Sequence, residues 1–340
     1  MKTVTLGKSG LVVTKPAMGC LPVQRRNMED AVELLRAAYD GGIRYFDTAN
    51  AYTDSEEKIG QALSDVRGDI IISTKGASDD AEEITGLIET SLRRMKTDYI
   101  DLYQLHCYSR PMTADDAVYQ ALLRAKEKGQ IRHIGITAHS LEMAFEYVNS
   151  GLFETMQYPF SYLSTERELE LVELCREKNV GFIAMKGLAG GLLTNSRACA
   201  AFMEQYDHVA PIWGIQTMDE LKQWLALGEN PPAMDDELRA FIAEDKKALS
   251  GSFCRGCGYC MPCPVGIEIN NSARMDMLLR RSPWRGYMTP EWQEKMSRIE
   301  NCLHCNQCSS KCPYGLDTPS LLAYNLKDYR QFYEEHKDQI

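Results

Sequence analysis

Short apolar runs alternate with segments of helical period eight times between residues 15 and about 228, and this alternation constrains the fold more than any other feature. The runs lie near Lys15–Met18, Ile43–Ala49, Asp69–Lys75, Tyr99–His106, His133–Ala138, Thr155–Pro159, Gly181–Lys186 and Val209–Gly214. Between the first two, Asn27 can cap a helix with Asp30 three residues on; Val32, Leu35 and Tyr39 then share a face, and Gly41-Gly42 ends it. Ile84, Leu87, Ile88 and Leu92 repeat the pattern, as do Val118, Ala121, Leu122 and Ala125 before Gly129. Thr165–Glu168 and Thr217–Glu220 are capping-box pairs that open two further helices. Eight such units close either as a doubly wound open sheet or as a (β/α)8 TIM barrel. The count of eight favours the barrel. No Gly-x-Gly-x-x-Gly turn follows an early strand, which counts against a dinucleotide-binding sheet. A hairpin over residues 3–14, turning at Lys8-Ser9-Gly10, precedes the first unit.

After residue 228 the pattern stops. Glu229-Asn-Pro-Pro232 is a break, Asp235–Leu249 a charged helix and Ser250-Gly251-Ser252 a joint, so the reading is a barrel over 1–245 and a second domain over 246–340. A net charge of −10 argues against nucleic acid or an anionic membrane as partner. No run approaches the ~18 apolar residues of a membrane span, and the N-terminus lacks a signal peptide's apolar core; the expected location is the cytoplasm. Eight of the twelve cysteines fall in two tight runs, a ligand pattern of reducing compartments.

The first run is Cys254-Arg-Gly-Cys257-Gly-Tyr-Cys260-Met-Pro-Cys263-Pro264 and the second Cys302-Leu-His-Cys305-Asn-Gln-Cys308-Ser-Ser-Lys-Cys312-Pro313. The second has the spacing of a bacterial-ferredoxin ligand run; the first is one residue short before its fourth Cys. Three thiolates on one tight loop can hold three irons of a cubane, and the fourth, followed by Pro, reaches the other cluster. One [4Fe–4S] cluster is therefore assigned to Cys254, Cys257, Cys260 and Cys312, and a second to Cys302, Cys305, Cys308 and Cys263. Structural zinc takes two Cys-x-x-Cys pairs per ion and fits this spacing poorly. Cys20, Cys107, Cys175 and Cys199 are scattered and read as small apolar residues, with Cys107 beside His106. Met275, Leu278 and Leu279 beside Arg274, Arg280 and Arg281 read as an amphipathic helix of the second domain, the alternative being a dock for an acidic electron carrier. Tyr324, Tyr329, Phe332 and Tyr333 lie at near-helical spacing in a tail that packs back on the protein.

In a barrel of this kind the active site lies at the C-terminal ends of the strands. Asp47 ends the second strand, with Tyr52 five residues on; Lys75 ends the third and His106 the fourth. Singly, each reads as a structural ion pair or a rim residue. Together on one rim they form a proton-transfer set. A free Tyr hydroxyl titrates near pH ~10, and an ammonium beside it favours the phenolate. Asp47 would hold Lys75 charged, His106 would position a substrate oxygen, and Tyr52 would act as general acid or base.

These residues, with Leu6-Gly-Lys-Ser-Gly-Leu11, Phe46-Asp-Thr-Ala-Asn-Ala-Tyr52, Asp98-Tyr-Ile-Asp-Leu-Tyr-Gln-Leu-His106 and Gly129-Gln-Ile-Arg-His-Ile-Gly-Ile-Thr137, make residues 3–228 resemble an aldo-keto reductase. The resemblance places that family's catalytic tetrad on Asp47, Tyr52, Lys75 and His106. It implies NAD(P)(H) as cofactor, held by Thr137, Gln157, Met185, Lys186, Gly214 and Gln216. Three positions depart from the family. Ala138 stands where an Asn is usual and Met185 where a Tyr stacks on the nicotinamide. Neutral Gln216 replaces the basic residue that meets the adenosine phosphate, and it cannot make a charge-assisted contact. NADPH, NADH and another donor all stay open, and so does a flavin, although no motif indicates one.

Two functions compete. The first is an oxidoreductase that reduces a carbonyl or oxidises an alcohol by hydride transfer and carries two [4Fe–4S] clusters. The second is a ferredoxin-linked electron-transfer or redox-sensing protein whose barrel no longer uses a nicotinamide. Hydride transfer moves two electrons together whereas a cluster passes one, so the clusters are structural, a dock for a ferredoxin or other electron carrier, or coupled through a further centre. Substrate identity and oligomeric state are not legible in the sequence.

Overall fold

The computed structural model describes residues 1–108, 110–249, 253–256, 258–281, 284–312 and 314–339. An antiparallel hairpin opens the chain, β1 (Lys2–Thr5) against β2 (Val12–Lys15), with Lys2 opposite Lys15 and Thr5 opposite Val12. Its turn passes against the backbone below a later strand, where Gly7 bridges Val180. Gly7 has φ +50°, and a Cβ there would lie 2.5 Å from both Asn179 O and Gly181 N, so no side chain fits.

Eight parallel strands then close into a barrel: β3 (Ala17–Gly19), β4 (Tyr45–Asp47), β5 (Ile71–Gly76), β6 (Ile100–Leu105), β7 (Ile131–Thr137), β8 (Thr155–Pro159), β9 (Gly181–Met185) and β10 (Val209–Gly214), which pairs back to β3. The strands fall where the apolar runs place them. β3, β4 and β6 are buried along their whole length, as parallel strands covered on both faces must be. Any polar residue inside them therefore needs an internal partner. Asp101, near the start of β6, takes its partners at the N-terminal side: Arg67 at 2.6 Å and Arg132 at 3.1 Å, with both guanidiniums against the Tyr99 ring.

Local signals set the helices. Asn27 caps Met28–Asp40 by accepting the Asp30 N–H, and both capping boxes form, on Glu166–Glu177 and on Met218–Glu229. Helix Ala117–Glu127 buries Val118, Ala121, Leu122 and Ala125 as read. The face of Met28–Asp40 differs from expectation: Ala31, Leu34, Leu35 and Ala38 are buried, and Val32 and Tyr39 lie at its margin. The Tyr39 ring instead lies 4.1 Å from the Arg44 guanidinium, and its hydroxyl donates to Asp69. A long apolar body with a polar tip is more stable at that margin than inside.

The chain forms two compact units, Met1–Gly187 with Arg197–Asp235, and Leu188–Ser196 with Asp236–Ile340. The second is mainly helical. Met275–Arg281 buries Met275, Leu278 and Leu279, and Thr318–His336 buries Leu322, Leu326, Tyr329 and Phe332. The arginines of the linker are used within this unit. Arg280 makes two 2.7 Å bonds to Asp328, Arg281 pairs with Asp245 and Leu192 O, and Arg274 bonds Asn271 and Ala189 O. That face is accordingly a packing surface. No helix among the described residues is long and apolar enough to cross a membrane.

Candidate active site

Asp47 ends β4 opposite Ser73 of β5, and Lys75 lies two residues further along β5; Asp47 and Lys75 are 2 % and 1 % exposed. Lys75 Nζ donates to Asp47 Oδ1 at 2.6 Å and to Thr48 O at 2.6 Å. The remaining capacity of the carboxylate is filled from the barrel interior. Ser73 Oγ donates to Oδ2 at 2.5 Å and Gln104 Nε2 at 3.3 Å, while Gln157 Nε2 approaches Oδ1 at 3.4 Å. Gln104 also donates to Gln157 Oε1 at 2.8 Å, and Tyr45 OH donates to Ser73 Oγ at 3.1 Å. A buried ion pair persists only when its other lone pairs are satisfied, and this network satisfies them.

The loop after β4 is tied to β5 through its backbone: Thr48 N–H donates to Ser73 O and Asn50 N–H to Lys75 O. Tyr52 N–H then donates to Ala49 O and Ser55 N–H to Tyr52 O, which fixes where the Tyr52 ring leaves the chain. Its centre lies 5.4 Å from Lys75 Nζ and 5.8 Å from the His106 ring, which it meets edge-on. His106 follows β6 directly, its N–H bonded to Gly76 O. All four residues expected on one rim are thus together.

Their electrostatics depart from expectation in one respect. Burial pushes the Tyr52 phenol above its ordinary value; Lys75 pulls the other way but does not prevail. Burial also opposes the Lys75 charge, yet Asp47 and Tyr52 together raise its pKa. Burial, helped by Lys75 and Lys186, drops His106 to about 3, so the imidazole is neutral at physiological pH. His139, buried two residues beyond β7, is held far below the usual range by burial, Lys186 and His106. The arrangement is a protonated phenol beside a fixed cation and a neutral imidazole.

The six residues expected to hold the nicotinamide stand at the C-terminal ends of β7 to β10. Thr137 and Gln157 are register partners; Thr137 Oγ1 accepts the Cys107 N–H at 2.7 Å, and Gln157 turns its amide toward Asp47. Met185 ends β9, Lys186 follows with φ +57°, and Gly214 ends β10. The Gln216 N–H donates to Glu220, and its Oε1 accepts from Arg25 Nη1 at 3.4 Å. Sequence reasoning missed Ser73, Gln104, His139 and Arg25. A polar residue inside an otherwise apolar strand is a signal that could have found Ser73 and Gln104.

In the second unit Cys254 is buried, Cys260, Cys263, Cys302, Cys308 and Cys312 are half-buried and Cys305 is exposed; Cys257 lies outside the described residues. Among the described residues no group of three or more His, Cys, Asp or Glu is arranged to hold a single metal ion. Cys263, Cys302, Cys305 and Cys308, the set read for the second cluster, line one cavity with Cys260, closed by Pro262, Pro264 and Ile267. Gly256, Gly258, His304 and Asn306 have positive φ, a backbone conformation that tight turns use. Several cysteines around an apolar-walled cavity fit an iron–sulfur cluster.

A profile of the Aldo/keto reductase family matches residues 17–237. The chain belongs to that family. A 4Fe-4S dicluster domain matches residues 253–317, so a reductase barrel and a dicluster domain share one polypeptide. An uncharacterized oxidoreductase, YqkF, of Bacillus subtilis is 33 % identical over 208 residues, covering 57 % of this chain and 67 % of that protein. A putative aryl-alcohol dehydrogenase of Schizosaccharomyces pombe is 31 % identical over 242 residues, covering 56 % and 68 %. Among solved structures, an aldo-keto reductase from Bacillus halodurans in its holo form superposes with a TM-score of 0.65 at 25 % identity, covering 72 % of this chain and 96 % of that one. A Klebsiella pneumoniae aldo-keto reductase in complex with NADPH has the same fold, with a TM-score of 0.62 at 22 % identity over 72 % and 94 %.

Proposed function

We propose that the barrel interconverts a carbonyl and an alcohol, with Tyr52 giving a proton to the carbonyl oxygen in reduction and taking it back in oxidation. The observation that carries this reading is the buried Asp47–Lys75 pair, 2.6 Å apart, set beside the Tyr52 ring. Lys75 stabilises the phenolate as the proton leaves, Asp47 keeps Lys75 charged and aimed, and neutral His106 orients the substrate oxygen. A reduced nicotinamide, when bound, supplies the hydride. Thr137, Gln157, Met185, Lys186, Gly214 and Gln216 would hold it along the rim. Arg25 offsets the neutrality of Gln216 by bringing a guanidinium to 3.4 Å from its side-chain oxygen. Arg25→Ala should raise the KM for NADPH by about three- to tenfold, the scale of one exposed charge-assisted contact, and leave the KM for NADH unchanged. Equal effects on both nucleotides would remove Arg25 from phosphate recognition.

The dicluster domain would hold two [4Fe–4S] clusters, on Cys254, Cys257, Cys260 and Cys312 and on Cys302, Cys305, Cys308 and Cys263. Such clusters exchange single electrons with a carrier protein. Anaerobically prepared protein should contain about eight irons, two four-iron centres, and should oxidise NADPH or NADH only when a carbonyl substrate is present. Zinc in place of iron would refute the clusters. Iron-replete protein inert toward both nucleotides would favour the second reading, an electron-transfer or redox-sensing protein on a barrel without nicotinamide chemistry.

A further inference from the structure

We infer that the loop Cys302–Cys308 and its surroundings form the docking face for a small acidic one-electron carrier protein, an inference that rests on the cluster reading above. The two ligand runs differ in exposure. Cys254 is buried, whereas Leu303, His304, Cys305, Asn306 and Gln307 are exposed without a break. Leu303 is 64 % exposed, more than any other large hydrophobic among the described residues. It stands directly between two ligand thiols, so a partner that covers it comes within a few bond lengths of the metal site. An exposed apolar side chain on a rigid loop is the kind of anchor that transient interfaces use.

Charge selects the partner. The chain carries 48 acidic residues and a net charge of −10, yet neither 253–267 nor 302–316 contains an Asp or Glu. Their charged residues are Arg255 and Lys311. Lys311 is exposed and enters no ion pair among the described residues. Glu300, the acid that precedes the second run, is bonded to Arg330 at 2.7 Å. The acids that flank the two windows are engaged as well, Glu268 with Lys295 at 3.1 Å and Asp317 as acceptor from Ser320 at 2.6 Å. Ligand loops without acidic side chains on an acidic protein favour a negatively charged visitor over a positive one. The linker arginines do not contribute, since Arg280 and Arg281 are paired inside the unit. One electron would pass per encounter, from the reduced iron–sulfur centre of the carrier, which is oxidised, to the oxidised cluster that Cys302, Cys305, Cys308 and Cys263 would hold, which is reduced, with no bond made or broken and no proton required.

The test uses the anaerobic holoprotein and an oxidised acidic [2Fe–2S] ferredoxin as probe, with binding followed by calorimetry so that no turnover enters the readout. Affinity should fall as salt rises, and Leu303→Asp with Lys311→Glu should weaken it by about tenfold or more, within the range of charge steering, with iron content and cluster spectrum unchanged. Equal affinity in that double variant would overturn the docking face. So would a doubled wild-type mass that the variant abolishes without any probe binding, since the face would then close on a second copy of this chain. Iron-free wild-type protein would remove the cluster reading and this inference together; iron-replete protein that ignores the probe would remove this inference alone.

Discussion

Tyr52→Phe should lower kcat/KM for NAD(P)H-dependent carbonyl reduction by about 10²- to 10⁴-fold, the contribution of a positioned general acid, and leave iron content and visible absorbance as they are. The substitution removes one oxygen and keeps the ring that meets His106 at 5.8 Å and Lys75 at 5.4 Å, so packing is preserved. The pH profile carries further information. Burial holds the phenol above its ordinary pKa, so the acid form is present through neutrality and lost only as pH rises past that value; reduction should be flat below it and decline above. His106 does not enter this profile, because with a pKa of about 3 it is already neutral across the working range. It enters stability instead. The unfolded chain protonates that imidazole near pH ~6.5 while the folded one resists until about 3, so the unfolded state binds more protons between these limits. Stability should therefore fall as pH drops from about 6.5 toward 3, and His106→Gln should flatten the fall. Unchanged turnover in Tyr52→Phe would end the assignment of Tyr52 as the acid.

What was legible in the sequence divides along a physical line. Period and capping are local, and they placed all eight barrel strands and the caps at Asn27, Thr165 and Thr217. Asp47, Lys75 and His106 were legible because a parallel barrel sends every strand end to one rim, which turns sequence position into spatial position. Residues whose importance depends on what lies across the barrel were not. Gln104 bonds Asp47 from 57 positions away, and Arg25 meets Gln216 across 191. No periodicity encodes such a meeting. The direction of the Tyr52 shift was misread for a related reason. Lys75 was visible in the chain, but the burial that outweighs it is a property of the closed barrel. The segment Leu188–Ser196 shows the same limit at the scale of domains, since it follows a barrel strand in sequence yet belongs to the C-terminal unit.

Lys75→Met should cost about 3–5 kcal/mol of stability, the penalty for leaving a buried charge without its partner, seen as a lower denaturation midpoint. Ser73, Gln104 and Gln157 would still donate to Asp47, but neutral dipoles replace an ammonium 2.6 Å away only in part. Adding Asp47→Asn removes the stranded charge, so the double variant should recover most of the lost stability, a coupling that a double-mutant cycle measures directly. Activity should not recover with it. Lys75→Met and the double variant lack the cation that draws the Tyr52 proton, and Asp47→Asn leaves Lys75 without the partner that holds it charged against burial, so each should lose turnover, while nucleotide binding, followed by fluorescence, persists in the refolded double variant. If the double variant is both stable and active, Asp47 and Lys75 are a structural ion pair like Arg67 and Asp101 at the opposite end of the barrel. If it is stable and inactive, the pair is retained for the chemistry, because a barrel that folds well without a buried charge has no structural need of one.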